Sequence, residues 1–388
     1  MDNIIVVPSY WSKEGFPEIY DHPTLLEAKN NETLSRLLAS LRRLNGSFKV
    51  IIIGVVTNEE LEQEVWHEIK EIVESFPDLN VSHFHNLHLR ELRRQLEKMG
   101  IAKKLTKRLS MEGYGNVRNI CLLIPYIMGA EIIILLDDDE IVMDKNFIKR
   151  AREYVGNQLQ GKMVGGIAGV YIEKPVQKTF KRREWWERFW EKRKCMQQVL
   201  NNLNSGKRLK RTPLALGGNM VIHRALATEV PFDPFIYRGE DTDYLWNAKH
   251  FGFEFLYDTR LRIVHRPPVH RTPRWEQIRR DLKRFIYQRE KVKLLKIPQS
   301  SLSQYPGYFL RKDLRVRGFL TCLLLALDCL IRKHPDDSKN ALYTAIKVLF
   351  WGRDAKNKVK SYLKFQLDWV CLMETLAQKE IEIVKLIS

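Results

Sequence analysis

The sequence predicts an α/β domain with a largely parallel sheet, followed by an all-helical C-terminal region. Three observations carry this. Short aliphatic runs alternate with helix-period segments over about the first 140 residues, the pattern of strand–helix units. Strand-like runs then continue as far as Val264. Beyond Trp275 the apolar spacing is helical to the end, broken near residues 298–306 and at Pro335.

Taken in order, residues 3–7 form an aliphatic run ended by Pro8 and read as a buried strand. Residues 34–44 have helical spacing, with Asn31 or Thr33 as caps. Residues 50–56 are a second strand, closed by Thr57 and Asn58; 61–76 are helical, and 79–84 a third strand. A charged helix is expected over 90–109, with Gly113, Tyr114 and Gly115 breaking it. An apolar helix at 119–128 leads into a five-residue aliphatic strand at 132–136. Next come a helix at 147–154, a Gly-rich strand at 164–171, a basic segment and a strand at 215–222. A helix at 241–250 ends at Gly252, strands follow at 253–257 and 261–264, and Pro267 with Pro268 stops the pattern. A boundary is expected near residue 275, dividing a catalytic part, 1–275, from a helical part, 276–388.

The chain has 388 residues, 44% of them hydrophobic. That content supports a folded core and excludes a disordered chain or a Gly/Pro-rich low-complexity one. Five scattered cysteines with no Cys-x-x-Cys argue against a disulfide scaffold or zinc site and fit a reducing, cytoplasmic setting. The N-terminus lacks a basic region and its apolar run stops at Pro8, so no signal peptide is expected. The longest uncharged apolar stretch is broken by Asp328, short of the roughly 20 residues a spanning helix needs.

The formal charge is +18, and it is concentrated. Residues 178–211 hold 12 basic against 3 acidic side chains, and residues 260–296 hold 13 against 3. Solvated helix faces are one reading. A surface for phosphates, acidic headgroups or nucleic acid is the other. Aromatics are interleaved, among them Trp185, Trp186, Phe189 and Trp190, which suits a membrane interface or single-stranded nucleic acid.

The most informative feature is the aliphatic run ending in Asp137, Asp138, Asp139 and Glu140. Ligands bind beyond the carboxyl ends of strands in open parallel sheets. Three aspartates there crowd like charges unless a cation is present. If the strand continues through them, Asp137 and Asp139 share a face and converge on one ion. Oxygen ligands suit Mg2+ or Mn2+; a solvated acidic turn is the alternative.

Three further stretches extend the motif. Gly115-Asn116-Val117-Arg118-Asn119 precedes the helix feeding the acidic strand. Leu216-Gly217-Gly218-Asn219 is a small-residue turn before a strand. Gly239-Glu240-Asp241-Thr242 opens a helix, and His265 lies 24 residues after Asp241. In this order and spacing the set resembles the GT-A glycosyltransferases, especially their family-2-like branch, over roughly residues 1–270. The resemblance implies two abutting Rossmann-like halves around one sheet, a nucleotide-sugar half at about 1–140 and an acceptor half at about 141–275. It implies a nucleotide-diphosphate-sugar donor with a divalent metal, Mg2+ or Mn2+, on its diphosphate.

Residue by residue, the resemblance implies metal and donor contact for Asp137 and Asp139, with Asp138 between them, and nucleotide contact for Arg118 and Asn119. Pro8 and Tyr10, after the first strand, join the donor side. Gly218 and Asn219 fall in the acceptor-side turn, Asp241 at the position of the base in inverting members, and His265 at that of a late metal ligand. The sequence departs from the pattern in two places. Thr57 and Asn58 replace the acidic residue ending the second strand, and residues 11–29 separate the first strand from its helix.

The chemistry follows. Transfer builds negative charge on the leaving phosphate, which a divalent ion held by Asp139 and His265 would stabilise. The acceptor hydroxyl loses a proton to a carboxylate base, Asp241 or, as the alternate, Glu240. An Asp at a helix start also serves as a cap. Lys103, Lys104, Lys107 and Arg108 read as donor-phosphate contacts or a solvated helix face, and Trp185 as an acceptor platform or core. The partners implied are GDP-mannose or a UDP-sugar and an anionic small-molecule or lipid-phosphate acceptor. Peripheral contact with an anionic membrane at its inner face, and self-association through the C-terminal helices, are further expectations; nucleic acid is not expected. Competing classes are a retaining synthase of a small anionic solute, a nucleotidyltransferase, and a basic nucleic-acid or membrane-binding module. The nucleotidyltransferase would carry a Gly-rich basic signature after the first strand, where this chain has Pro8-Ser9-Tyr10-Trp11.

Overall fold

The computed structural model describes residues 3–15, 20, 23–27, 32–173, 184–267, 272–297 and 304–378. Its first strand, β1 (Asn3–Ser12), runs past Pro8. The neighbouring strand on one side pairs only as far as Val6, so the N–H that Pro8 lacks breaks no ladder there. β2 (Thr24–Leu25) adds in parallel to the end of β1. Then come α1 (Thr33–Leu41), β3 (Lys49–Val56), α2 (Glu62–Glu74) and β4 (Val81–Phe84). Glu32 occupies the cap position of α1 without a side-chain bond, and Asn31 lies outside the described residues.

The charged helix expected over 90–109 is two helices, α3 (Asn86–Lys98) and α4 (Lys103–Thr106), parted where Gly100 has φ 89°. α5 (Tyr114–Ile127) begins earlier than expected, because only Gly113, at φ 82°, leaves the helical region. β5 (Ile132–Leu135) ends two residues before Asp137, and β6 (Glu140–Ile141) follows the aspartates. α6 (Phe147–Arg152) precedes a hairpin of β7 (Gln158–Leu159) and β8 (Lys162–Glu173). α7 (Lys192–Asn204), β9 (Leu209–Arg211), β10 (Met220–His223), α8 (Arg224–Glu229) and α9 (Glu240–His250) follow. β11 (Glu254–His265) joins the two strands expected at 253–257 and 261–264 through an irregularity between Tyr257 and Arg262. The helical part comprises α10 (Arg274–Leu294), α11 (Leu314–Ile331), α12 (Pro335–Val348) and α13 (Ala355–Gln378). Pro335 starts α12, since its fixed φ and missing N–H suit a first turn.

The sheet order is β4-β3-β1-β5-β10-β8-β11-β6. β4, β3, β1 and β5 are mutually parallel, β8 and β11 are parallel to each other, and β10 is antiparallel to both of its neighbours. The sheet is mostly parallel, as expected, with β10 and β6 as antiparallel members. Strand alternation sends Ile4 and Val6 to one apolar layer, and Ile5 and Val7 to the other. α1, α2 and α6 cover the second face. α3, α5, α8, α9 and the C-terminal helices cover the first.

The C-terminal helices share the core of the sheet region. Tyr126 Oη donates to the Met373 carbonyl at 2.9 Å, Trp369 Nε1 to Ala227 at 2.9 Å, and Tyr362 Oη to Pro231 at 3.1 Å. The strongest tie is buried charge. Lys291 on α10 donates to Asp233 Oδ2 at 2.7 Å and to Asp243 Oδ2, on α9, at 2.6 Å. Tyr287 Oη donates to Asp233 at 2.7 Å, and Gln288 Nε2 to Asp243 at 3.1 Å. Burial pulls the Lys291 ammonium down, but the two carboxylates outweigh it and hold it above its ordinary value.

Candidate functional site

Beyond the carboxyl end of β5 lies a cavity of about 310 Å3. Segments distant in sequence meet there: Tyr10 from β1, Tyr114 and Arg118 from α5, the three aspartates, the 214–217 loop, the start of α9, and His265.

The three aspartates lie between β5 and β6, so the strand does not continue through them and its alternation does not set the directions of Asp137 and Asp139. Asp137 Oδ1 accepts from Arg118 Nη2 at 2.8 Å. Asp138 Oδ2 accepts from Ser9 Oγ at 2.6 Å, and Ser9 in turn accepts from Trp11 Nε1 at 2.9 Å. Asp139 Oδ2 lies 3.4 Å from His265 Nε2, and the Asp139 carbonyl accepts from Arg266 N–H at 2.9 Å. Each carboxyl therefore has its own direction. Burial and the neighbouring Asp139 push Asp138 well above the carboxylate range; burial and Asp137 do the same to Glu140. Both are thereby biased towards their neutral forms, which limits the charge crowded into the turn.

Gly218 meets this turn from the opposite side. Its N–H donates to Tyr171 Oη at 2.7 Å, and that hydroxyl lies near Glu140. A Cβ at Gly218 would fall 2.0 Å from Glu140 Oε1 and 2.6 Å from Asp137 Oδ2. Only glycine allows this approach of backbone to carboxylates.

Arg118 is almost fully buried, bonded to Asp137 and 3.5 Å from Glu240 Oε1. Its Nη1 has no hydrogen-bond partner among the described residues. A buried guanidinium donor at a cavity wall is a ready contact for a phosphate oxygen. Asp139 Oδ1 is likewise buried without a partner among the described residues, so it has lone pairs for a cation. An oxygen and an imidazole nitrogen suit Mn2+ or Mg2+. Among the described residues no three His, Cys, Asp or Glu side chains are grouped as a metal cage. Two protein ligands with the remainder from substrate phosphates is an ordinary Mg2+ arrangement.

At the start of α9, Glu240 is buried and Asp241 half-buried, both lining the cavity. Asp241 Oδ1 accepts from Thr242 N–H at 2.6 Å. Burial and the adjacent Asp241 raise the Glu240 carboxyl to about 7, with Arg118 opposing. Burial raises Asp241 too, while the Thr242 N–H and then Arg284 and Arg118 pull it down. Gly239 precedes them at φ 70°, and a Cβ there would lie 1.8 Å from Arg284 Nη1.

Several expected residues lie elsewhere. Pro8 is buried in the sheet and does not line the cavity. Asn119 clamps the backbone, donating to the Phe232 carbonyl at 2.9 Å and accepting from Phe232 N–H at 2.7 Å. Asn219 is fully buried and donates to the Leu261 and Val170 carbonyls at 3.1 and 3.3 Å, joining β8 to β11. Trp185 donates to Asp328 on α11 at 2.7 Å and lines a different hollow. Their amide and indole hydrogen bonds are spent on packing. Tyr10 is at the cavity, its ring 4.4 Å from Tyr20 and 5.3 Å from Tyr114. Tyr20 thus brings the segment after β1 back to the site.

On the far side of these tyrosines, at the end of β3, is a second cavity of about 840 Å3. Thr57, Asn58, Arg90, Arg93, Lys107 and Arg108 line it, whereas Lys103 and Lys104 do not. Sequence reasoning also missed cations at the first cavity. Lys192, Arg238 and Arg284 line it and surround one carboxylate, Asp281. Lys192 Nζ is 2.6 Å from Asp281, and Arg284 Nη2 is 3.7 Å away. Burial opposes ionisation of Asp281, but Lys192, Arg284 and Arg238 outweigh it and hold the carboxyl below its usual range. Lys192 and Arg284 belong to the two basic segments, whose cations are therefore partly internal.

The mostly parallel sheet flanked by helices, with helices at the C-terminus, is the fold class expected from the sequence. No known family model and no curated protein sequence matches the chain. Among solved structures it is similar to the mannosyltransferase PcManGT from Pyrobaculum calidifontis in complex with GDP-Man and Mn2+, with TM-score 0.46 and 12% identity, covering 97% of this chain and 86% of that one. It is also similar to glucosyl-3-phosphoglycerate synthase from Mycobacterium tuberculosis with Mn2+, UDP and phosphoglyceric acid, with TM-score 0.39 and 16% identity over 76% and 79% of the two chains.

Proposed function

We propose that the chain is a divalent-cation-dependent glycosyltransferase that moves a sugar from a nucleotide-diphosphate sugar to a hydroxyl of an anionic acceptor. The observation that carries this is the meeting, at one cavity, of an acidic turn, a buried arginine, an Asp–His pair and a helix-start acid pair. Binding of a nucleoside alone would need neither the Asp139–His265 pair nor the Glu240–Asp241 pair.

In this reading Asp139 and His265 hold Mg2+ or Mn2+, which when bound offsets charge on the donor diphosphate. Arg118 offers Nη1 to a phosphate oxygen, while Asp137 and Glu240 fix its guanidinium. The larger cavity beyond the tyrosines, about 840 Å3, accepts the nucleoside, a volume within the ordinary range for such ligands. Asp241, the more accessible acid, accepts the hydroxyl proton as the acceptor attacks. Lys192, Arg238 and Arg284 supply more positive charge than Asp281 neutralises and orient an anionic group of the acceptor. A synthase that retains configuration at a small anionic acceptor is the second reading; there Asp241 only orients a hydroxyl. The acceptor's third possibility, a lipid phosphate, uses the same cations.

Thermal-shift screening of GDP- and UDP-sugars with Mn2+ identifies the donor, since a ligand at 100 times its Kd stabilises by about 2.7 kcal/mol. Asp139→Ala is then expected to erase the Mn2+-dependent part of donor affinity, at least about tenfold by calorimetry. Equal affinity with and without Mn2+ in the wild type, or an unchanged metal effect in the variant, would remove the metal assignment.

The acid pair yields a pH test. A carboxyl raised to about 7 in the folded state is protonated below that pH; above it, the charge on Glu240 makes the adjacent Asp241 a stronger base. Activity is therefore expected to rise through neutral pH. Glu240→Gln removes that titration, so the rising limb of kcat/KM near neutral pH should be lost. A limb that stays fixed would show that the pair does not set it.

A further inference from the structure

We infer that the outward faces of α11 and α12 form a docking surface for an anionic lipid bilayer. The two helices are joined by three residues and pack closely on their inner sides, where Ser338 Oγ donates to the Ala326 carbonyl at 2.8 Å. Their outer sides carry Leu327, Leu330 and Ile331 on α11, and Tyr343, Ile346 and Phe350 on and just beyond α12, each 46–73% exposed. The spacing of three and four residues puts each trio on one side of its helix. Scattered exposed leucines need no explanation, but two adjacent helices with apolar outer faces do.

Charge selects the occupant. Residues 311–364 contain 13 basic and 5 acidic side chains. Of the acids, Asp328 is buried, with Arg332 2.9 Å away and Trp185 bonded to it, and Asp337 accepts from Trp275. The cations stay outside: Lys347 lies 5.3 Å from the Tyr343 ring centroid and Arg353 5.9 Å from that of Phe350. Lys333 and Lys356 are exposed too, while Lys339 is 3.4 Å from the exposed Asp336. A copy of the same surface would set these cations against each other, whereas an apolar stripe bordered by Lys and Arg, with aromatics between, matches an acidic headgroup layer over acyl chains. Among the described residues no helix is long and apolar enough to cross a membrane, so the helices would lie in the interface plane.

The surface is connected to the cavity. Trp185, in a turn packed on α11, is seven residues from the cavity-lining Lys192, and seven residues reach at most about 25 Å. A lipid-borne anionic acceptor would thus meet the cavity near where the protein sits, although docking itself does not depend on sugar transfer.

Flotation of the full chain with vesicles tests this without donor or metal. Binding is expected to vesicles of phosphatidylcholine mixed with phosphatidylglycerol, weaker binding to phosphatidylcholine alone, and release by salt. Substituting Leu330→Glu, Ile331→Glu and Phe350→Glu together should weaken binding at least about tenfold while thermal unfolding is retained, since the three sites are exposed. No wild-type binding to the anionic vesicles would overturn the inference, as would a substituted protein that floats like the wild type. A dimer in lipid-free buffer, dissolved by the same substitutions, would overturn it in favour of a second copy as occupant.

Discussion

Asp241→Asn is expected to lower the rate of sugar transfer by about 10^3-fold while donor affinity stays close to that of the wild type. General base catalysis contributes roughly 10^2 to 10^4, and the amide cannot take the proton. The substitution is nearly isosteric, and the oxygen that accepts from Thr242 N–H can be kept. Donor contacts are assigned to Arg118 and the acidic turn, so calorimetry of the donor should change little. The comparison with Glu240→Gln separates the roles. Glu240 is buried against Arg118, so its loss alters a pH profile, whereas loss of Asp241 removes turnover at every pH. Near-wild-type turnover in Asp241→Asn would exclude it as the base and favour the configuration-retaining reading.

Lys291→Met should produce the largest loss of stability, about 3–5 kcal/mol, the usual cost of removing one partner from a buried ion pair. Lys291 is 1% exposed and is shared by Asp233 and Asp243. Without it two carboxyls face each other in the interior, and burial already raises Asp233. Urea unfolding should show a lower midpoint at similar slope. Adding Asp233→Asn and Asp243→Asn should recover much of the loss, since the uncompensated charge is then gone. A loss below about 1 kcal/mol would mean that water or rearrangement replaces the ammonium. Asp243 is two residues from Asp241, so the single variant should also lose activity before it unfolds.

The contrast between these two residues explains what was legible in the sequence. Asp241 stands in a local pattern: a glycine, two acids and a helix. The aliphatic run before Asp137 is equally local, as are the strands built on residues 3–7 and 50–56. Lys291 is invisible by such means, because its partners lie 58 and 48 positions earlier. Arg284 and Arg238 were hidden in the same way, as two basic residues among many. Local rules also failed where tertiary pairing decided the outcome. Pro8 stays in a strand because its neighbour ends early. The three aspartates left the strand, so the two-residue alternation that would have joined Asp137 to Asp139 had no basis. Asn119 and Asn219 sit within recognisable motifs, yet their amides serve the backbone. The C-terminal helices were legible as helices, but their share of the main core was not, since helical spacing reveals a buried face and not what covers it.

One consequence of the sheet remains. β5 and β6 are close in sequence, yet β10, β8 and β11 lie between them in the sheet. Four strand intervals of about 4.8 Å would set them about 19 Å apart on a flat sheet. The five steps from Leu135 to Glu140 reach about 17 Å at most. The sheet must therefore curl for the far edge to be reached, and the acidic turn bridges its mouth. The pairing of Glu140 with His265 fastens its far end. Shortening the turn by one residue would have to tighten the curl or break the pairing of β6 with β11, and so change the gap between Asp139 and the histidine. The same curl that brings the two edges together thus sets the spacing of the two residues assigned to the metal.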